Sequence, residues 1–247
     1  MAILTAYDFF TARILDEIGI DSVLVGDSVN MVFYGSSNTL SITMDQMVYH
    51  TRAVSSAVKR ALVIADMPFL SYQASTEEAI TNAGRFLKEG GADSVKIEGG
   101  LEMADTVKRI IEVGIPVMGH IGLTPQSINR FGGFTVRGKS REEREYLLES
   151  AKKLEQVGCF SVLVESVPKK LAQEITESLK VPTIGIGAGI GCDGQVLVVN
   201  DILGLFGDFK PKFVRRYAEL GKEIEKVCND FLDDVKSGRF PSDEESY

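Results

Sequence analysis

Eight short aliphatic, β-branched runs, each parted from the next by a helical pattern, constrain this chain more than any other feature. They are AILTA (2–6), SVLVG (22–26), ALVIA (61–65), SVKIE (94–98), IPVMG (115–119), FSVLVE (160–165), PTIGIG (182–187) and QVLVV (195–199). None alternates cleanly between apolar and polar, as expected of parallel strands covered on both faces. Between them, Ser75-Thr76-Glu77-Glu78 reads as a capping box, with Ala79, Ile80, Ala83, Phe86 and Leu87 on one helical face until Gly90. Thr43 to Gln46 and Ser140 to Glu143 repeat that box. A last helix is expected at about 211–237, opened by Pro211 and closed near Gly238. Eight strands in this alternation over 247 residues predict a single-domain α/β (β/α)8 TIM barrel spanning 1–247. An open doubly wound sheet would place G-x-G-x-x-G after its first strand, and TAYDFF holds no glycine.

The strand ends then become informative, because barrel chemistry sits at the C-terminal mouth. In order they offer Asp27, Asp66, Glu98, His120 and Glu165. Asp27, Asp66 and Glu98 come from neighbouring strands and converge on one side of the mouth. Three buried carboxylates repel one another, and a hard divalent ion such as Mg²⁺, which prefers oxygen donors, resolves that conflict. Lys96 lies two residues before Glu98, hence on the same face of its strand, and can receive a substrate carboxylate; Ser28 adds a hydroxyl beside Asp27. Glu165 lies across the barrel from Asp27 and is better placed as a base than as a ligand. His120 opens a long connection, and its residue type alone leaves a structural and a functional role equally open. Two connections, 27–43 and 120–139, exceed the usual βα loop of about 2–6 residues, and Tyr34, Phe131 and Phe134 suit them as aromatic covers. The glycine-rich IGIGAGIGCDG (184–194) reads equally well as close packing or as an anion cradle, and no site is assigned to it.

Composition removes other classes. A net charge of −8 argues against a general nucleic-acid binder. No apolar run reaches the ~18 residues of a membrane span. Cys159, Cys192 and Cys228 lack metal-site spacing and read as three buried thiols in a reducing compartment. The chain is expected to be cytoplasmic, with no membrane partner.

At these same residues the sequence resembles a known family. LTAYD (4–8), VGDS (25–28), MVYHTRAV (47–54), ADMPFLSYQ (65–73), VKIEGG (95–100), GHIGLTPQS (119–127), IGIGAG (184–189), CDGQVLV (192–198) and PKFVRRYA (211–218) closely resemble the ketopantoate hydroxymethyltransferases. The resemblance implies a (β/α)8 barrel of the phosphoenolpyruvate/pyruvate type. It implies Mg²⁺ at Asp27, Asp66 and Glu98, with Glu98 acting through water, and 2-oxo-acid contacts from Asp27, Ser28, Asp66 and Lys96. It gives His120 a pocket role and Glu165 the part of proton acceptor. The implied reaction moves a hydroxymethyl group from methylenetetrahydrofolate to 3-methyl-2-oxobutanoate through a Mg²⁺-stabilised enolate, giving ketopantoate for pantothenate and coenzyme A synthesis. The implied partners are the 2-oxo acid, the reduced folate and further copies of the chain, as a decamer.

Asn30 stands where the family usually has glycine and Ser41 where it often has proline, changes expected to alter loop stiffness. Little stands before LTAYD, where the family usually has a longer segment, and this is expected to bear on oligomer contacts rather than chemistry. A Mg²⁺-dependent 2-oxo-acid lyase or mutase on the same barrel is the alternative enzyme, and a non-catalytic binding barrel the alternative class. A silent barrel would be expected to have lost one of Asp27, Asp66, Lys96, Glu98 or Glu165, and all are present.

Overall fold

The structure, a computed structural model, describes residues 1–205 and 211–247. Eight strands close a parallel barrel in chain order. They are β1 (Ala2–Thr5), β2 (Ser22–Val25), β3 (Leu62–Asp66), β4 (Ser94–Glu98), β5 (Val117–Gly122), β6 (Ser161–Glu165), β7 (Thr183–Ile186) and β8 (Gly194–Leu197). The helices are α1 (Phe9–Glu17), α2 (Val29–Val32), α3 (Met44–Ser55), α4 (Thr76–Lys88), α5 (Ala104–Glu112), α6 (Ile128–Phe131) and α7 (Arg141–Val157). Beyond them come α8 (Lys169–Ser178), α9 (Val199–Ile202) and α10 (Leu220–Ser237).

Ile3, Leu24, Ile64, Met118, Leu163, Ile184 and Val196 fill the barrel interior. Each strand except β4 supplies one of them. On β4 the residue in register with Met118, and so facing the same way, is Lys96. A charged residue thus stands beside the apolar plug, and the register that places it there also aligns Asp66 with Lys96 and Glu98 with His120.

Two expectations need correction. β5 runs on to Gly122, because its ladder with β6 continues through Ile121↔Val164 and Gly122↔Glu165. His120 therefore lies within a strand rather than at the head of a loop. The last helix begins at Leu220, not Pro211. The N–H groups of Tyr217 and Leu220 donate to the carbonyls of Ile202 and Leu203 at 2.8 and 2.9 Å, so the preceding segment follows α9 instead of coiling. Gly238, at φ +71°, ends α10 as expected. The chain divides into two compact units, 1–198 and 199–247. The barrel and both long connections at its mouth belong to the first; α9 and α10 belong to the second.

The capping boxes form unequally. At Thr43 and Gln46 both halves are made. Ser140 accepts from the Glu143 N–H, but the Glu143 carboxylate turns to the Gly138 and Lys139 N–H groups at 2.9 and 3.3 Å. Ser75 likewise accepts from Glu78 N–H. Of the cysteines only Cys159 is buried; Cys192 is half-buried and Cys228 exposed, which corrects the expectation of three buried thiols.

Gly122 carries the turn out of β5 at φ +97°, where a Cβ would meet the Glu165 carbonyl and, at 2.9 Å, Val167. Gly122→Ala is expected to destabilise the barrel by about 1–3 kcal/mol, since both the positive φ and the contact count against a side chain. Urea unfolding checks this, and an unchanged midpoint would contradict it.

Candidate active site

Five ionisable side chains on four consecutive strands form an unbroken row across the C-terminal mouth. Lys96 Nζ lies 2.6 Å from Asp66 Oδ1 and 3.6 Å from Glu98 Oε1. His120 follows, with Nδ1 3.6 Å from Glu98 Oε1 and Nε2 3.3 Å from Glu165 Oε2. The strand register generates this row, since residues facing inward on neighbouring parallel strands meet side by side. Asp66, Lys96, Glu98 and His120 are all buried, whereas the Glu165 side chain keeps 15% exposure. Asp27 joins from the next strand round: its N–H donates to Asp66 Oδ2 at 3.1 Å. Ser28 Oγ lies 2.8 Å from the Tyr7 hydroxyl.

Sequence reasoning missed the residue that ties these groups together. Gln126 is buried, and its Nε2 donates to Asp27 Oδ2 at 3.0 Å and to the Met67 carbonyl at 2.9 Å. Its backbone N–H donates to Glu98 Oε2 at 3.0 Å, and its Oε1 accepts from Tyr72 Oη at 2.7 Å. Tyr72 Oη in turn accepts from the Glu98 N–H at 3.2 Å. The signal available was the position of Gln126 in TPQS, early in a long connection at the mouth.

Burial and the charges of Asp66 and Glu98 hold the Asp27 carboxyl well above the ordinary carboxylate range, against the pull of Lys96. Burial raises Asp66 as well, though Lys96 beside it opposes the shift. For Glu98 burial acts upward, but Lys96 and His120 outweigh it and leave the group lowered. Lys96 is penalised by burial, yet Asp66, Glu98 and Asp27 keep it firmly protonated. Burial and Lys96 both disfavour a charged His120, and Glu165 and Glu98 overcome them, so its pKa is raised. The row therefore alternates in sign, with acids in excess at the Asp27 end.

Whether these residues suit Mg²⁺ follows from the same geometry. Among the described residues, no three histidine, cysteine, aspartate or glutamate side chains close on one point as a fully protein-ligated ion requires. Lys96 lies between Asp66 and Glu98. The donors nevertheless fit the ion. They are all oxygens, carry uncompensated charge, and include Glu98 Oε1, a buried atom that accepts no hydrogen bond. Mg²⁺ usually takes one or two carboxylates and completes its shell with water and substrate, a role open to Asp27 and Asp66.

The two mouth connections are ordered by their own contacts. Asn30 Nδ2 donates to the Asn38 carbonyl at 2.8 Å and to Ser41 Oγ at 2.9 Å. Asn30 and Ser41 are thus partners, and together they pin the first connection. In the second, Arg137 stacks 4.1 Å over Phe131 and pairs with Glu143. Tyr34 and Phe134 are exposed.

Fold and site together define a TIM-barrel enzyme with a carboxylate–lysine–histidine centre at the C-terminal mouth. Similar folds occur in phosphonopyruvate hydrolase, described in complex with oxalate and Mg²⁺ (TM-score 0.63, 13% identity, 99% of this chain and 88% of that one). A second is 2,3-dimethylmalate lyase, of the PEP mutase/isocitrate lyase superfamily (TM-score 0.63, 14% identity, 100% and 86%). Residues 1–243 match the family model for ketopantoate hydroxymethyltransferase. The chain is 56% identical over 251 aligned positions to 3-methyl-2-oxobutanoate hydroxymethyltransferase of Prosthecochloris aestuarii, covering 100% of this chain and 91% of the relative. With the Enterococcus faecalis enzyme of the same name it shares 52% identity over 247 positions, covering 100% and 90%. The chain belongs to the ketopantoate hydroxymethyltransferase family, and it is a hydroxymethyltransferase.

Because the folded-state pKa of Asp27 lies above its unfolded value, its contribution to stability is complete below the ordinary carboxylate range. That contribution is lost as pH rises through the raised value. Asp27→Asn is therefore expected to raise the melting temperature of the chelator-treated protein by a few degrees, more at pH about 8 than at about 5. Thermal unfolding checks this, and a variant less stable than the parent at both pH values would contradict it.

Proposed function

We propose that this chain transfers a hydroxymethyl group from methylenetetrahydrofolate to 3-methyl-2-oxobutanoate, giving ketopantoate and tetrahydrofolate in pantothenate biosynthesis. The observation that carries the reading is the row from Asp66 to Glu165, which sets a carboxylate base at one end and a cation among oxygen donors at the other. The first half of such a reaction removes a proton from C3 of the oxo acid and must hold the charge that spreads to the keto oxygen. Mg²⁺, held by Asp27 and Asp66 with Glu98 acting through water, would supply the Lewis acid that draws this charge.

The chain's own residues do the rest. Lys96 offsets the negative charge of the substrate carboxylate, and Ser28 offers it a hydroxyl. Glu165, the least buried member of the row, accepts the C3 proton at Oε2 while His120 orients its carboxylate. Its position is held by an unusual backbone: Ser166 has φ +48°, kept there as its N–H donates to Ile186 O and its carbonyl accepts from Arg137 N–H. The carbon nucleophile then takes the one-carbon unit, and water supplies the hydroxyl oxygen of the product. The two mouth connections limit water at this step. The reading includes a homo-oligomer, a decamer by family resemblance, supported by Val227, Phe231, Leu232 and Val235 standing exposed on α10.

The test is exchange of the C3 proton of 3-methyl-2-oxobutanoate into deuterated water, followed by NMR with and without Mg²⁺, first without folate and then with tetrahydrofolate. Metal-dependent exchange is expected, and Glu165→Gln should slow it by about 10²–10⁴-fold while binding the oxo acid nearly as well. No exchange under either condition would turn the assignment towards the lyases of this barrel class. Exchange undiminished in Glu165→Gln would remove that residue as the base.

A further inference from the structure

Beside the row, under the second mouth connection, lies a cavity of about 300 Å³ whose inner wall is His120 and whose outer wall is built from α6 and the start of α7. None of the residues assigned to the oxo acid or to Mg²⁺ lines it except His120. It is therefore a second compartment that shares only His120 with the first, and the imidazole of that residue places Nε2 3.3 Å from Glu165. Its volume is at the lower end of small-molecule sites and suits one fused ring system rather than a whole cofactor.

The lining has a definite chemistry. Gly99 and Gly100 lie in one wall; Gly99 sits at φ +128°, and a Cβ on Gly100 would meet Ser150 first and stand 3.0 Å from the Tyr146 hydroxyl. Glu102 is fixed in this wall, because it accepts from the Gly100 N–H at 3.2 Å and from the Tyr146 hydroxyl. A carboxylate so oriented has acceptor capacity to spare for a flat ligand edge with paired N–H donors. Tyr146 and Phe131 provide ring surface. Arg137, stacked on Phe131 and paired with Glu143, braces that ring. Arg130 is an exposed cation at the cavity edge, well placed for an acid outside it.

A reduced pterin matches each feature. It is a fused ring pair with faces for aromatic contact, an amino-pyrimidinone edge that donates two N–H bonds to a carboxylate, and an acidic glutamate tail. Resting on the hydroxymethyl-transfer reading above, we propose that this cavity seats the pterin of the one-carbon donor. Glu102 reads the amino-pyrimidinone edge, Tyr146 and Phe131 contact the ring, and Arg130 receives the tail carboxylate. The donor's methylene then approaches the oxo acid past His120, on the side where Glu165 has removed the C3 proton. The transfer breaks both methylene–nitrogen bonds of the donor and forms the C3–carbon bond and a carbon–oxygen bond to water; the C3 proton and one proton of that water go to the two freed nitrogens, so no redox partner is required.

Steady-state kinetics of Glu102→Gln and Arg130→Ala test the assignment, together with calorimetric binding of tetrahydrofolate. Each variant is expected to raise KM for methylenetetrahydrofolate and weaken tetrahydrofolate binding by about tenfold, as for one lost charged hydrogen bond. KM for the oxo acid should move less than about twofold, within the scatter of surface changes. Tyr146→Phe should keep more donor affinity than Tyr146→Ala, because it keeps the ring. Parental donor KM in both charge variants would overturn the assignment, as would an oxo-acid KM rising in parallel. A parent protein that makes no hydroxymethylated product and binds no tetrahydrofolate would instead overturn the reading on which the assignment rests.

Discussion

One buried cation organises the mouth of this barrel. Lys96 sits inside β4, on the face where the other strands place aliphatic residues, 2.6 Å from Asp66 and 3.6 Å from Glu98. Desolvating an ammonium costs several kcal/mol, and only close carboxylates offset it. The carboxylates are likewise tolerable in the interior only because Lys96 is there. Removing either partner of such a pair typically costs about 3–5 kcal/mol, so the pair binds the fold to the site. Burial, together with the charges of Asp66 and Glu98, raises the pKa of Asp27, the third acid. A divalent ion bound as proposed would answer the charge that Lys96 leaves over.

The remaining elements follow from the need to hold that charge in place. Gln126 spans Asp27, Glu98, Tyr72 and the Met67 carbonyl, so the second mouth connection is anchored to the acids it covers. The first is pinned through Asn30 and Ser41. Glu165 stands apart from the Lys96 pair and reaches it only through His120, at the least buried end of the row.

Much of this was legible in the sequence because a parallel barrel writes itself plainly. Its strands are aliphatic on both faces, and its strand ends are where polar groups accumulate. Asp66, Glu98 and Glu165 each end their strand, and Lys96 shares a face with Glu98 by simple alternation. What escaped depends on contacts between distant segments. The start of α10 is decided by the carbonyls of Ile202 and Leu203, which no local helix signal near Pro211 reports. The carboxylate of Glu143 leaves its capping box for the N–H groups of Gly138 and Lys139. Gln126 is a neutral residue in a connection, and only the folded ladder shows what its amide meets. The position of Lys96 between two acids is likewise a fact of distance rather than of order along the chain.

The central claim is that Asp27, Asp66 and Glu98 carry charge that a metal ion and an oxo acid complete together. Calorimetric titration of 3-methyl-2-oxobutanoate into chelator-treated protein, repeated at saturating Mg²⁺, tests it most directly. The account predicts that Mg²⁺ tightens the oxo acid and, by reciprocity, that the oxo acid tightens Mg²⁺ by the same factor, of about tenfold or more. Equal oxo-acid affinity with and without the ion would contradict it.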